Sequence, residues 1–228
     1  GNNDPVVNAG DDHYIPISTP FILEGTASDI DTGNTLTYCW EQNNPEDPRS
    51  SNTPQPTWVY GPLFRSKLPA DTPERHIPSI QDVIQGNLTP TWEVLPSVGR
   101  TINFVLTVRD NAISGPKTAS DEKIINVVDN GGAFTVTSQS SQENWTIGDT
   151  KTITWDVAGT NNAPINAQNV QISMSVDGGY TYPYILKNST PNNGSANVII
   201  PALSESTTQA RIRVKPVDNI FRFRRHGP

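Results

Sequence analysis

The chain has 228 residues, a net charge of -7 and only 34% hydrophobic residues. Such acidity repels nucleic acid and anionic lipid, so neither is an expected partner, and no apolar run is long enough to span a membrane. One cysteine, Cys39, excludes an intrachain disulfide, and 20 Pro with 16 Gly favour frequent turns over long helices, so the expected class is all-β.

The first predicted strands are Pro5–Asn8, Phe21–Ala27, Leu36–Gln42, Thr101–Arg109 and Lys123–Val128. Within them Ile102, Phe104, Leu106 and Val108 alternate with Asn103, Val105, Thr107 and Arg109, which gives one clearly apolar face. Residues 43–99 are rich in Pro, Ser, Asn and Thr and form an insertion in an otherwise ordinary sandwich. Its one predicted helix is Ser79–Gln85, capped by Ser79 and stopped before Gly86. The run Asp129-Asn130-Gly131-Gly132 has the residues of a linker. It sets the expected boundary between a first module, 1–130, and a second, 131–221. The second carries predicted strands Phe134–Ser138, Lys151–Val157, Asn169–Ser175, Tyr184–Leu186, Ala196–Ile200 and Ala210–Val217. Residues 222–228 read as a non-native tail, which leaves the last strand of the second sandwich unassigned.

Catalytic motifs are missing. The three histidines, His13, His76 and His226, are far apart, and no His-Glu-x-x-His, Gly-x-Ser-x-Gly or P-loop pattern occurs. Cys39, between Tyr38 and Trp40, reads as a packed small hydrophobe. A pair of glycosidase carboxylates meeting in space stays open. Asp29, Asp31 and Asn34 around Gly33 are spaced like the entry of a calcium loop. The alternative is an Asp/Asn turn held by side-chain-to-backbone bonds. Ser175-x-Asp177-x-Gly179-x-Thr181-Tyr182 matches the Asp-box pattern, in which the carboxylate collects turn donors and the aromatic packs beneath. Trp58, Tyr60 and Trp92 lie outside predicted strands. They either stack on a sugar or peptide or pin the insertion to its sandwich.

Longer stretches carry a resemblance. Val6-Val7-Asn8-Ala9-Gly10 with Thr19-Pro20-Phe21-Ile22-Leu23-Glu24-Gly25 is one. Ser28-Asp29-Ile30-Asp31 with Leu36-Thr37-Tyr38-Cys39-Trp40-Glu41-Gln42 is another. Gly61-Pro62-Leu63-Phe64-Arg65-Ser66, Trp92-Glu93-Val94-Leu95-Pro96 and Val108-Arg109-Asp110-Asn111 complete the set. Together they resemble the first accessory module of secreted reprolysin-like zinc metallopeptidases from Bacteroidetes, and the opening part resembles a PKD-type Ig-like domain. Thr152-Ile153-Thr154-Trp155-Asp156-Val157-Ala158-Gly159-Thr160 and Asp177-Gly178-Gly179-Tyr180-Thr181-Tyr182-Pro183 resemble the module that follows there. The match stops near Asp218-Asn219-Ile220-Phe221.

The resemblance implies two tandem Ig-like/PKD-like β-sandwiches, the second Ig/FnIII-like. They would be a non-catalytic spacer of a secreted or cell-surface bacterial peptidase, with its catalytic domain as partner. In a PKD-like sandwich Asp110, and Asp4 with it, lies at the same pole as Asp29 and Asp31, which completes an expected calcium site. The rival expectation is a module that binds an extracellular polysaccharide or protein.

Overall fold

A computed structural model describes residues 1–45, 53–113, 115–139 and 141–224. Residues 46–52 of the insertion and 225–228 of the expected tail lie outside the described residues. The fold is all-β, with one short helix.

Before residue 130, two layers face one another. One is a four-stranded sheet of β2 (His13–Pro16), β8 (Thr118–Val128), β7 (Arg100–Arg109) and β5 (Thr37–Gln42), in that order. The other joins β1 (Val6–Asn8) to β4 (Thr26–Ser28) and β3 (Phe21–Glu24) to β6 (Glu74–Ile77). The predicted strand Phe21–Ala27 is thus two strands that change partner at Gly25. A Cβ there would run into the Leu106 side chain and stand 3.1 Å from the Asn8 carbonyl, so only glycine lets the chain pass this close. Between the layers lie Ile102, Phe104, Leu106 and Val108, all fully buried, as their alternation predicts. Each such side chain contributes about 1.5–3 kcal/mol of burial.

Two strands escaped the pattern. β2 pairs in parallel with β8, and β6 sits in the Pro-rich insertion, with buried Arg75 at its centre. β8 also starts five residues ahead of its predicted onset, because its polar first half follows the far half of β7. The helix α1 (Ile80–Gln85) is as expected: Ser79 accepts from the Asp82 N–H, and Gly86 takes the left-handed conformation at the other end.

β5 is the outer strand of its sheet, and the insertion runs along its open side. Tyr38 and Ala70 exchange N–H···O bonds of 2.8 Å. The Gln42 Oε1 accepts from the N–H groups of Leu63 (2.7 Å) and Phe64 (3.0 Å).

After residue 133 a second pair of layers forms. β13 (Ser195–Ile199), β10 (Thr150–Asp156) and β9 (Thr135–Val136) make one; β12 (Tyr184–Pro191), β11 (Asn169–Ser175), β14 (Arg211–Pro216) and β15 (Phe223–Arg224) make the other. The last strand, which the tail reading left unassigned, is Phe223–Arg224, paired with Val214 and Arg213.

Residues 219–222 tie the two halves together. The Ile22 N–H donates to Ile220 O (3.1 Å) and the Arg222 N–H to Pro20 O (2.9 Å), across a bridge between Phe21 and Phe221. Phe221 is fully buried and meets Phe134 edge-on at 5.3 Å, while the Phe134 N–H donates to the Thr19 hydroxyl.

Candidate functional site

The first candidate is the pole where β4 leads into β5 and β7 into β8. The Asp29 carboxylate accepts from the Asp31 N–H (2.8 Å) and from Asn34 Nδ2 (3.1 Å), the geometry of an Asx turn. The amino-terminal arm closes over it. Asn3 donates to Asp31 through its N–H (2.6 Å) and its side-chain amide (3.0 Å), and Asn2 Nδ2 donates to Asp110 (2.5 Å). These donors, the Asn3 N–H first, hold the Asp31 carboxyl below the usual carboxylate range. Asp110 is fully buried and also accepts from the N–H groups of Ala112 and Lys117. Asp4 points to the Lys117 ammonium instead, at 2.9 Å.

Asp29, Asp31, Asn34 and Asp110 therefore share one network through Asn2 and Asn3, while Asp4 stands at its margin. Among the described residues, no group of three or more His, Cys, Asp or Glu side chains is placed to hold a metal ion.

The second candidate is the Asp-box hairpin after β11. The Ser175 hydroxyl donates to Asp177 (2.6 Å), as do the N–H groups of Gly179, Tyr180 and Thr181 and the Thr181 hydroxyl (2.6 Å). Gly178 and Gly179 supply the positive φ angles that the turn demands. Burial pushes the Asp177 carboxyl up, but the Ser175 and Thr181 hydroxyls and the turn amides outweigh it. They hold it well below the usual range. A carboxylate so fully subscribed by donors is a clasp and is poorly suited to act as a base. Tyr182 packs under the guanidinium of Arg213, 4.0 Å from its ring centre.

The third candidate, the rings of the insertion, divides. Trp58 packs against the core, and its carbonyl accepts from Arg100 (2.9 Å). Trp92 is half-exposed with the Arg65 guanidinium over its ring at 5.0 Å, while Tyr60 is largely exposed.

No family model matches the chain, and no curated protein matches it. Solved structures match the chain only loosely. One is Bacteroides ovatus SGBP-B of a mixed-linkage glucan utilization locus, in complex with a mixed-linkage heptasaccharide (12% identity, TM-score 0.27, 100% of this chain on 48% of that one). Another is Drosophila N-cadherin EC1-4 (10%, TM-score 0.31, 100% on 51%). A third is the FN1-FN3 region of chicken CNTN1 (8%, TM-score 0.31, 100% on 62%). The chain spans less than two thirds of each, and superpositions this loose carry no argument about what it binds.

Several residues that organise these sites were not singled out in the sequence. Arg75 donates to the carbonyls of Trp40 and Arg65 (2.7 Å) and to the Glu93 carboxylate (2.9 Å); Arg75 and Glu93 are both buried. Arg100 reaches the carbonyls of Trp58 and Gly61, and burial pushes its guanidinium down to about 10. Asn2 and Asn3 lie in a polar arm. No local periodicity marks any of them, because each acts on chain far away in sequence.

Proposed function

We propose that this chain is a non-catalytic, two-module spacer within a secreted or cell-surface bacterial protein. The parent that the sequence resemblance suggests is a zinc metallopeptidase, with its catalytic domain as partner. One observation carries the reading: the junction at Phe134 and Phe221 is buried and backbone-bonded, which suits a part that fixes a distance. No helix among the described residues is long and apolar enough to cross a membrane. Small-angle scattering of the 228-residue chain should fit one rigid particle. Scattering that demands a spread of inter-module angles overturns the reading. So does casein cleavage by the purified chain that EDTA abolishes.

Calcium at the acidic pole is proposed as a second, structural reading. The observation in its favour is the identity of the donors. Asn2, Asn3 and Asn34 each satisfy a carboxylate through an amide, and an amide turned over presents its oxygen to a cation. The same residues would then hold an ion with Asp29, Asp31 and Asp110. Differential scanning fluorimetry in EDTA, calcium and magnesium tests this, with a calcium-specific rise of about 4–10 °C at 10 mM. Equal midpoints in all three conditions leave the pole a hydrogen-bonded turn.

The rival module for polysaccharide or protein would use Tyr60 and Trp92. One face of Trp92 already lies against Arg65, which leaves little of a stacking platform.

A further inference from the structure

The second sandwich is open at one end. Residues 141–149 lead into β10, and residues 200–210 lead from β13 to β14. The two segments are joined at their base, where the Gly148 N–H donates to Ile200 O and the Ile200 N–H to Asp149 O, both at 2.9 Å. Beyond that rung they diverge, and no further hydrogen bond joins them among the described residues. The space between them is a cleft of about 580 Å³. That is the size of a ligand pocket, far above the voids of a packed core.

Its lining is two-toned. Met174, Ile200 and Ile212 form the floor, each no more than 5% exposed, with Leu203 and Trp145 above them. The facing walls carry Ser141, Gln142 and Asn144 on one side and Ser204, Ser206 and Thr208 on the other. At the mouth, the carboxylates of Glu143 and Glu205 outnumber the guanidinium of Arg211.

We propose that this cleft binds an extended peptide through one bulky apolar side chain with a Lys or Arg beside it. The floor is aliphatic, which suits a Leu, Ile, Met or Phe side chain. A sugar needs an open aromatic platform, and Trp145 does not offer one. Its indole N–H is given to Glu143 at 2.9 Å, and the Lys151 ammonium stands 5.8 Å from its ring centre. A lipid chain would strip water from the hydroxyl and amide walls without replacing it. A peptide backbone brings both donors and acceptors to those walls. The acidic mouth, on a chain of net charge -7, favours a cationic neighbour to the anchor. None of this depends on the spacer reading, which scattering tests separately.

Selection of phage-displayed random heptapeptides on the immobilised 228-residue chain tests the proposal, followed by fluorescence anisotropy of the enriched peptides. Enrichment of Leu, Ile, Met or Phe next to Lys or Arg is expected. Ser204→Trp, which fills the mouth from an exposed position, should weaken binding about tenfold or more. Glu205→Lys should weaken it roughly threefold at low salt, and less at 1 M salt. Both variants should keep the wild-type melting midpoint, since both residues are exposed. Failure to enrich that pattern overturns the proposal, as do enriched peptides that bind Ser204→Trp unchanged. Displacement of the peptide by a mixed-linkage glucan oligosaccharide assigns the cleft to sugar. Self-association of the chain that Ser204→Trp abolishes, without peptide binding, assigns it to a second copy. Either result also overturns the proposal.

Discussion

The insertion in the first sandwich and the Asp-box hairpin in the second are both irregular chain held in one shape, by opposite means. The hairpin is closed from within: Ser175, Asp177 and Thr181 satisfy one another and the amides between them. The insertion is fastened at long range, by Arg75 within it and by Gln42 and Arg100 at its two ends, through bonds that span ten to 42 residues. Irregular structure can be specified locally, or remotely by polar and charged side chains that reach distant carbonyls and amides. The second way lets a much longer segment be held, and it makes each tie more costly to lose.

That asymmetry can be measured. Arg75→Ala takes charge-assisted bonds from the carbonyls of Trp40 and Arg65 and from the buried Glu93 carboxylate, which keeps only Lys67 (2.7 Å) and the Ser79 N–H (3.1 Å). It should cost about 3–5 kcal/mol in urea denaturation followed by tryptophan fluorescence. Replacing Arg75 and Glu93 together by Met should recover much of the loss, because the buried charge goes with its partner. A single-variant cost below about 1 kcal/mol would erase the contrast between the two regions.

Asp177→Ala should cost less, about 1–3 kcal/mol, since the hairpin amides it releases are partly open to water. Its pH dependence has a definite sign. The folded carboxyl titrates below the unfolded value of 3.8, so as pH falls the unfolded chain takes up the proton first. The advantage of wild type over Asp177→Ala should be level from about pH 8 to about pH 5 and shrink below about pH 4. Urea midpoints for the two proteins across that range check it. An advantage that grows on acidification would refute the clasp.

Two smaller changes probe the ends of the scale. Ser79→Ala removes the local cap of α1 and should cost about 1 kcal/mol by the same assay. Arg65→Ala uncovers the Trp92 ring at the surface and should cost about 0.5–1 kcal/mol. It should also change the fluorescence of Trp92.

The same asymmetry explains what could be read from the chain beforehand. The β7 face, the α1 caps and the Asp box were legible, because alternation, Ser79 with Gly86, and Ser175 with Asp177 and Thr181 each announce themselves within a few residues. The acidic turn of Asp29, Asp31 and Asn34 was legible too, but the donors from Asn2 and Asn3 were not. A polar arm looks the same whether or not the fold brings it back across the pole. β6 was hidden by its setting among prolines and by a buried arginine that no apolar pattern includes. Phe223 was assigned to the non-native tail 222–228, although it pairs with Val214 of β14.

The course of the insertion along β5 has a consequence for behaviour at high concentration. An outer strand with bare N–H and C=O groups is a template on which another molecule can add a strand, and repetition of that step leads to fibres or precipitate. Here the Tyr38–Ala70 pair, the Gln42 amide and the contact of Cys39 Sγ with Lys67 O (3.4 Å) cap that side at three levels. A shortened chain that joins residue 43 directly to residue 99 would take β6 from β3 and the buried Leu63, Phe64, Ile77 and Leu95 from its sandwich. It would also expose the full length of β5, and aggregation is the form in which the loss would first be seen.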